Sequence, residues 1–151
     1  MRRERGRGHA TDRIAIVTLH GEVLVDGHEA AAEAMALTAP ISFWGGVNPK
    51  TGEIADVRHP EYQQFISGRV VLIPATIGSS SAAAVLLELV HAGLAPAALV
   101  LHEPDAILLL GLIVAREMGL ATPLAVKLDR THYAGLHGRH VAVHGDGRIT
   151  A

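Results

Sequence analysis

The sequence predicts an α/β domain with a parallel βαβαβ core and an additional β layer. Two observations carry the core. From residue 70 onward, short continuous apolar segments alternate with longer helical ones, and strands apolar on both faces belong to parallel sheets covered on both sides. Hydrophobic residues make up 49% of the chain and aromatic ones only 3%. The interior is therefore built from Ala, Val, Ile and Leu, a mixture typical of α/β layers. A third observation adds the second layer: the strand-like segments before residue 40 do not fit the strand–helix repeat.

The elements follow in order. Arg13 to Leu19 and Glu22 to Val25 read as short strands around a turn at His20-Gly21. Ala30 to Leu37 is compatible with either helix, favoured by its alanines, or strand, favoured by its short length and the nearby Pro40. Residues 40 to 68 dissolve into turn chemistry, Trp44-Gly45-Gly46 and Asn48-Pro49-Lys50-Thr51-Gly52 among it. A loop of this length in a compact domain is more often functional or partner-bound than idle. Val70 to Ile73 is a buried strand, and Gly78-Ser79-Ser80-Ser81 opens a helix that stops at Gly93, a natural C′ residue. Ala97 to Leu101 is a second buried strand. Pro104 begins a second helix ending near Gly119. Thr122 to Leu128 and His140 to His144 supply further strands.

That second helix contains the run Ala106 to Ala115, AILLLGLIVA, apolar around its whole circumference. A helix of this kind is expected to be buried on all sides. One small chain supplies such burial with difficulty, which implies a partner or oligomer. The run is also far short of the ~20 residues that span a bilayer.

At 151 residues the chain has room for one domain, placed at 13–151, preceded by a flexible basic tail at 1–12. The tail lacks the apolar stretch of a signal peptide, so a cytoplasmic protein is expected. The formal net charge of -2 gives no sign of nucleic-acid binding, and no membrane association is expected. There are no cysteines, so this chain holds no thiolate-bound zinc or iron–sulfur centre.

The stretch from Val71 to Ala82 joins a strand's carboxyl end, a glycine, and three hydroxyls at a helix start. Free N–H groups and the positive helix end suit a carboxylate or phosphate there, and ligands of open α/β sheets gather at this edge. The competing reading is an ordinary helix cap, since serine favours that position. Gly78-Ser79-Ser80-Ser81-Ala82 also approaches the G-x-S-x-G nucleophile elbow, with Asp105 or Asp129 and then His132 in the required order. Ala82 replaces the final glycine, however. His140 and His144 share a strand face ~13 Å apart, too far to ligate one ion; solvent-facing histidines are the better reading. Glu103 and Asp105 are placed in the first turn of the second helix, where its dipole stabilises carboxylates.

Several segments together resemble the swivel domain of the aconitase X family. They are Pro40 to Gly52 (PISFWGGVNPKTG) with Arg58-His59-Pro60, the Gly78-Ser79-Ser80 turn with Ala84 to Leu89, Ala95 to Ala98, and Glu103 to Ile107. The likeness covers about residues 20 to 126 and accounts for the long loop. It implies a swivelling β/β/α domain, occurring fused to a large catalytic domain or as a small subunit. The implied activity is that of a hydro-lyase such as cis-3-hydroxy-L-proline or phosphomevalonate dehydratase. It further implies a large partner subunit carrying an iron or iron–sulfur centre that acts as a Lewis acid on the leaving hydroxyl, with no cofactor in this chain.

By the same resemblance Ser79 is the expected proton acceptor. Gly78, Ser80, Ser81, Gly45 and Gly46 are the expected substrate-binding residues, with no metal ligands among them. N–H groups of Ser80 and Ser81 are candidates to stabilise the serine alkoxide. Two departures stand out. Ile77 occupies a position where relatives often carry a basic residue, and Ala82-Ala83 replaces a frequent Gly-Ser. The missing cation favours a small hydroxy-carboxylate such as cis-3-hydroxy-L-proline over a phosphorylated substrate. The alternatives are a phosphomevalonate dehydratase small subunit, or a non-catalytic domain binding an anion or a partner.

Overall fold

The structure, a computed structural model, describes residues 16–151. The proposed tail at 1–12 and the start of the first expected strand at Arg13 lie outside the described residues.

Four strands form the centre. β3 (Ala30–Ala36), β4 (Val70–Ile73), β5 (Ala98–Leu101) and β6 (Leu124–Lys127) lie side by side and parallel, in that order. Helices α2 (Ala82–His91) and α3 (Ala106–Glu117) provide the crossovers β4–α2–β5–α3–β6, so the expected βαβαβ core is present. Alternate residues of each strand face opposite sides. Val71, Ile73, Leu99, Leu101 and Ala125 pack with Leu86, Leu89, Leu108 and Leu112 of the helices. Val70, Leu72, Ala98, Val100, Leu124 and Val126 face the other way, onto Val141, Val143 and Ile149. Those last residues belong to β7 (His140–Val143) and β8 (Arg148–Thr150). The result is three layers, β/β/α, with one hydrophobic core on each side of the parallel strands. Each Leu or Ile fully buried in these cores contributes roughly 1.5–3 kcal/mol.

The second β layer is continuous with the first, through strands that serve both. In β3, Ala30–Glu33 pair antiparallel with β7, and Ala34–Ala36 pair parallel with β4. Pairing on both sides settles the helix–strand ambiguity of this alanine-rich segment, since cross-strand packing outweighs intrinsic propensity. β1 (Thr18–His20) and β2 (Glu22–Val25) do not form the hairpin expected around His20-Gly21. β1 pairs with β8 and β2 with β6, so one strand bends at Gly21 and passes from layer to layer. Gly21 N–H donates to Gly147 O at 2.9 Å. A Cβ on Gly147, which has φ +92, would collide with Gly21 O. The two glycines allow the backbones to close the sheet order β1-β8-β7-β3-β4-β5-β6-β2 into a ring.

Within the described chain α3 is covered on one side only. Leu108, Leu109, Gly111, Leu112 and Ala115 are buried, but Ile107 and Leu110 are each 50% exposed, Ile113 46% and Val114 37%. The helix lies beside α2 on one face of a single sheet, and nothing within the described chain covers its outer side. Gly111 permits the close approach of the two helices: a Cβ there would lie 2.5 Å from Ala83 O. Pro104 also stands one residue further out than expected, because Asp105 occupies the N-cap position.

Candidate active site

The carboxyl ends of the parallel strands deliver three polar loops to one edge. After β3 the chain crosses above β4: Leu37 N–H donates to Leu72 O, Ile41 N–H to Ala75 O, and Ile77 N–H to Ile41 O. Ile41 is thereby bridged to the Ser79-bearing segment through Thr76. The next residues form α1 (Phe43–Gly46), a single irregular turn broken at Trp44 and at Gly45, whose φ is +78. This turn packs against α2. Phe43 and Gly46 are buried, while Trp44 and Gly45 are exposed. The rest of the long segment folds on itself through Val47–Ile54 and Glu53–Phe65 bridges and buries Ile54, Ile66, His59 and Glu61.

The serine turn follows β4. Gly78 is exposed, with open space where a Cβ would stand. Ser81 holds the N-cap position of α2, but its hydroxyl makes no capping bond. Ser79, partly buried, instead receives Ser81 N–H on Oγ at 3.2 Å, and its carbonyl accepts Ala82 N–H at 3.1 Å. Ser80 is exposed. No acidic residue occupies the first turn of α2, so the positive end of the helix faces Ser79 without compensation. The expected residues thus fall into two groups, Gly78–Ser81 on one turn and Gly45–Gly46 on a neighbouring turn packed against the same helix.

A cleft of about 400 Å³ opens beside Gly78, lined further by Thr76, Glu103, Asp105 and Ile107. Asp105 does cap α3, Oδ1 accepting from Ile107 N and Leu108 N at 3.1 Å each. Thr76 Oγ1 donates to its Oδ2 at 2.7 Å. This Thr76–Asp105 contact, between residues 29 apart, has no signature in the local sequence pattern. At the end of β6, backbone and side-chain hydrogen bonds from Thr131 hold the Asp129 carboxyl below its ordinary range, assisted by His102 and His132. Both aspartates proposed for a hydrolase triad are therefore engaged in their own turns, and no histidine bonds to Ser79 among the described residues. His102 Nδ1 accepts Arg130 N–H and His137 Nδ1 accepts Ala36 N–H, each at 3.0 Å. No group of three or more potential ligands among the described residues could hold a metal ion, and no described helix is long and apolar enough to cross a membrane.

Fold and site together define a three-layer β/β/α domain that gathers a serine turn, a glycine turn and a cleft at one sheet edge. The family profile of the aconitase X swivel domain matches residues 18–151, and the chain belongs to that family. It is 45% identical over 102 residues to a cis-3-hydroxy-L-proline dehydratase of Pseudomonas aeruginosa, covering 67% of this chain and 18% of the relative. It is 38% identical over 94 residues to the phosphomevalonate dehydratase small subunit of Methanopyrus kandleri, covering 62% and 70%. The aconitase X structure from Thermococcus kodakaraensis superposes with TM-score 0.76 at 27% identity, over 88% of this chain and 96% of that one. The chain thus spans about a fifth of the length of the hydroxyproline dehydratases it matches, 18% and 21% in two cases. These relatives are dehydratases.

Proposed function

We propose that this chain is the swivel component of a hydro-lyase, completing with a larger component an active site for a small hydroxy-carboxylate such as cis-3-hydroxy-L-proline. The observation that carries this reading is Ser79 Oγ at the unshielded head of α2, accepting Ser81 N–H beside an open cleft. Serine is a weak base at its free pKa. A preorganised N–H donor and the helix end stabilise the alkoxide and raise its competence as a proton acceptor. In the proposed step Ser79 takes the proton α to the substrate carboxylate. The freed C–H electron pair becomes the double bond as the C–O bond breaks, and the proton and hydroxide together account for one water. Gly78, Ser80 and Ser81, with Gly45 and Gly46, are the residues we assign to substrate binding.

Hydroxide departs on the side completed by the larger component. The residues of this chain do not fit an iron or iron–sulfur centre, having neither cysteine nor a described ligand cluster; such a centre is assigned to that component. The exposed apolar stripe of α3 supports a docked partner. The cleft wall carries Glu103 and Asp105 and no lysine or arginine, which argues against a substrate bearing the additional charge of a phosphate.

The test is Ser79→Ala in the assembled enzyme, assayed on cis-3-hydroxy-L-proline and on phosphomevalonate. Intact assembly with dehydration lowered about 10²–10⁴-fold is expected, the usual range for a general base. Full activity of the variant would remove Ser79 from the mechanism, and turnover of phosphomevalonate alone would replace the substrate.

A further inference from the structure

Two buried polar side chains outside the serine turn grip the segment that supports it. His59 and Glu61 are 6% and 7% exposed. Glu61 Oε1 accepts from Thr38 N at 2.8 Å and from Thr38 Oγ1 at 2.7 Å. His59 Nε2 lies 3.2 Å from Ala39 O, and a carbonyl oxygen there requires Nε2 to donate. On the other side of the ring, Nδ1 accepts the Glu61 N–H at 3.1 Å, which fixes the ring against the turn that carries Glu61, and Glu61 Oε2 lies 3.0 Å from the same nitrogen.

The gripped residues lead straight to the candidate site. Thr38 and Ala39 precede Ile41, whose N–H and C=O are bonded to Ala75 and Ile77 in the segment after β4 that runs into Gly78 and Ser79. Two residues beyond Ile41 begins α1, with Gly45 and Gly46. Glycine-rich turns of this kind have little stiffness of their own. Fixing Thr38 and Ala39 by three side-chain hydrogen bonds removes much of that freedom.

We infer that His59 and Glu61 are positioning residues for the dehydration, a buried clamp that sets the Thr38–Ile41 crossing and, through it, both the serine turn and the glycine turn. The inference rests on the role proposed for Ser79. A clamp of this kind acts on the geometry of the proton-accepting atom, so its loss lowers kcat more than it raises KM.

The experiment combines turnover with amide exchange. In the assembled enzyme on cis-3-hydroxy-L-proline, Glu61→Ala should lower kcat about tenfold or more with KM within about twofold. Glu61→Gln retains the acceptor for Thr38 and presents an N–H to His59 Nδ1, and should recover kcat to within about threefold of the parent. In the full chain studied alone, Glu61→Ala should speed exchange of the Ile41 and Ile77 amides about tenfold or more, while the Val71 and Val100 amides stay protected. Parental kcat in Glu61→Ala, or a loss that Glu61→Gln does not recover, overturns the inference. So does unchanged exchange at Ile41 and Ile77. If the parent enzyme fails to turn over the substrate, or Ser79→Ala is fully active, the proposed function fails, and the exchange measurement still decides whether the clamp exists.

Discussion

Asp105 uses both carboxylate oxygens: Oδ2 accepts the Thr76 hydroxyl at 2.7 Å while Oδ1 caps α3. One side chain thus fastens the loop after β4 to the loop after β5, across the floor of the cleft beside Gly78.

Replacing Asp105 with Ala removes the cap and the inter-loop tie together. The expected loss is about 1–2 kcal/mol in urea unfolding. Thr76→Val, which removes the tie and spares the cap, should cost less than Asp105→Ala in the same measurement.

Gly111→Ala inserts a methyl group 2.5 Å from Ala83 O. Backbone cannot retreat as a flexible side chain can, so α2 and α3 must separate. About 1–3 kcal/mol of destabilisation is expected, read as a lowered thermal midpoint. Gly135→Ala, with open space around the site of its Cβ, is the control and should show no comparable loss.

Burial pushes the Tyr133 hydroxyl above its ordinary value of 10.0, with the charge of Asp129 acting in the same direction. The hydroxyl donates to Leu128 O at 3.0 Å. The folded state therefore favours neutral tyrosine, whereas the unfolded chain ionises near pH 10. The associated stability is complete below pH 10 and is lost as pH rises towards the higher folded value. Tyr133→Phe should cost about 1 kcal/mol at neutral pH and flatten the alkaline fall in a denaturation series.

Leu110 and Val114 lie on the exposed face of α3. Leu110→Glu with Val114→Glu should leave the unfolding free energy of this chain within about 0.5 kcal/mol per substitution. Capture of the larger dehydratase component should fall about tenfold or more, as expected when an apolar contact at an interface centre is replaced by charge. Undiminished capture would move the docking surface elsewhere on the domain.

The parallel core was legible because Val70–Ile73 and Ala98–Leu101 are apolar at every position, as strands packed on both faces must be. The path of Thr18–Val25 was not, since a glycine between two short strands looks the same whether the chain reverses or bends onward. The three residues of β8 carry no periodicity of their own and depend on pairing with β1 and β7. In α3 the apolar circumference was correctly read, but a run of residue types does not reveal which side a neighbour occupies. The serine turn announced itself through glycine and hydroxyls at a strand end. The Thr76–Asp105 tie and the His59–Glu61 pair did not, because each joins segments whose meeting is decided by the fold.

The bend at Gly21 also bears on how this molecule reaches its native state. β1 finds its hydrogen-bonding partner in β8, at the opposite end of the described chain, while β4, α2 and β5 associate over short stretches of sequence. Loop-closure entropy places such distant pairings late. The expected order is therefore a βαβ nucleus first and the Gly21–Gly147 seam last. Until that seam closes, β8 exposes an unpaired strand edge, and this interval is when the domain is most open to association with other chains.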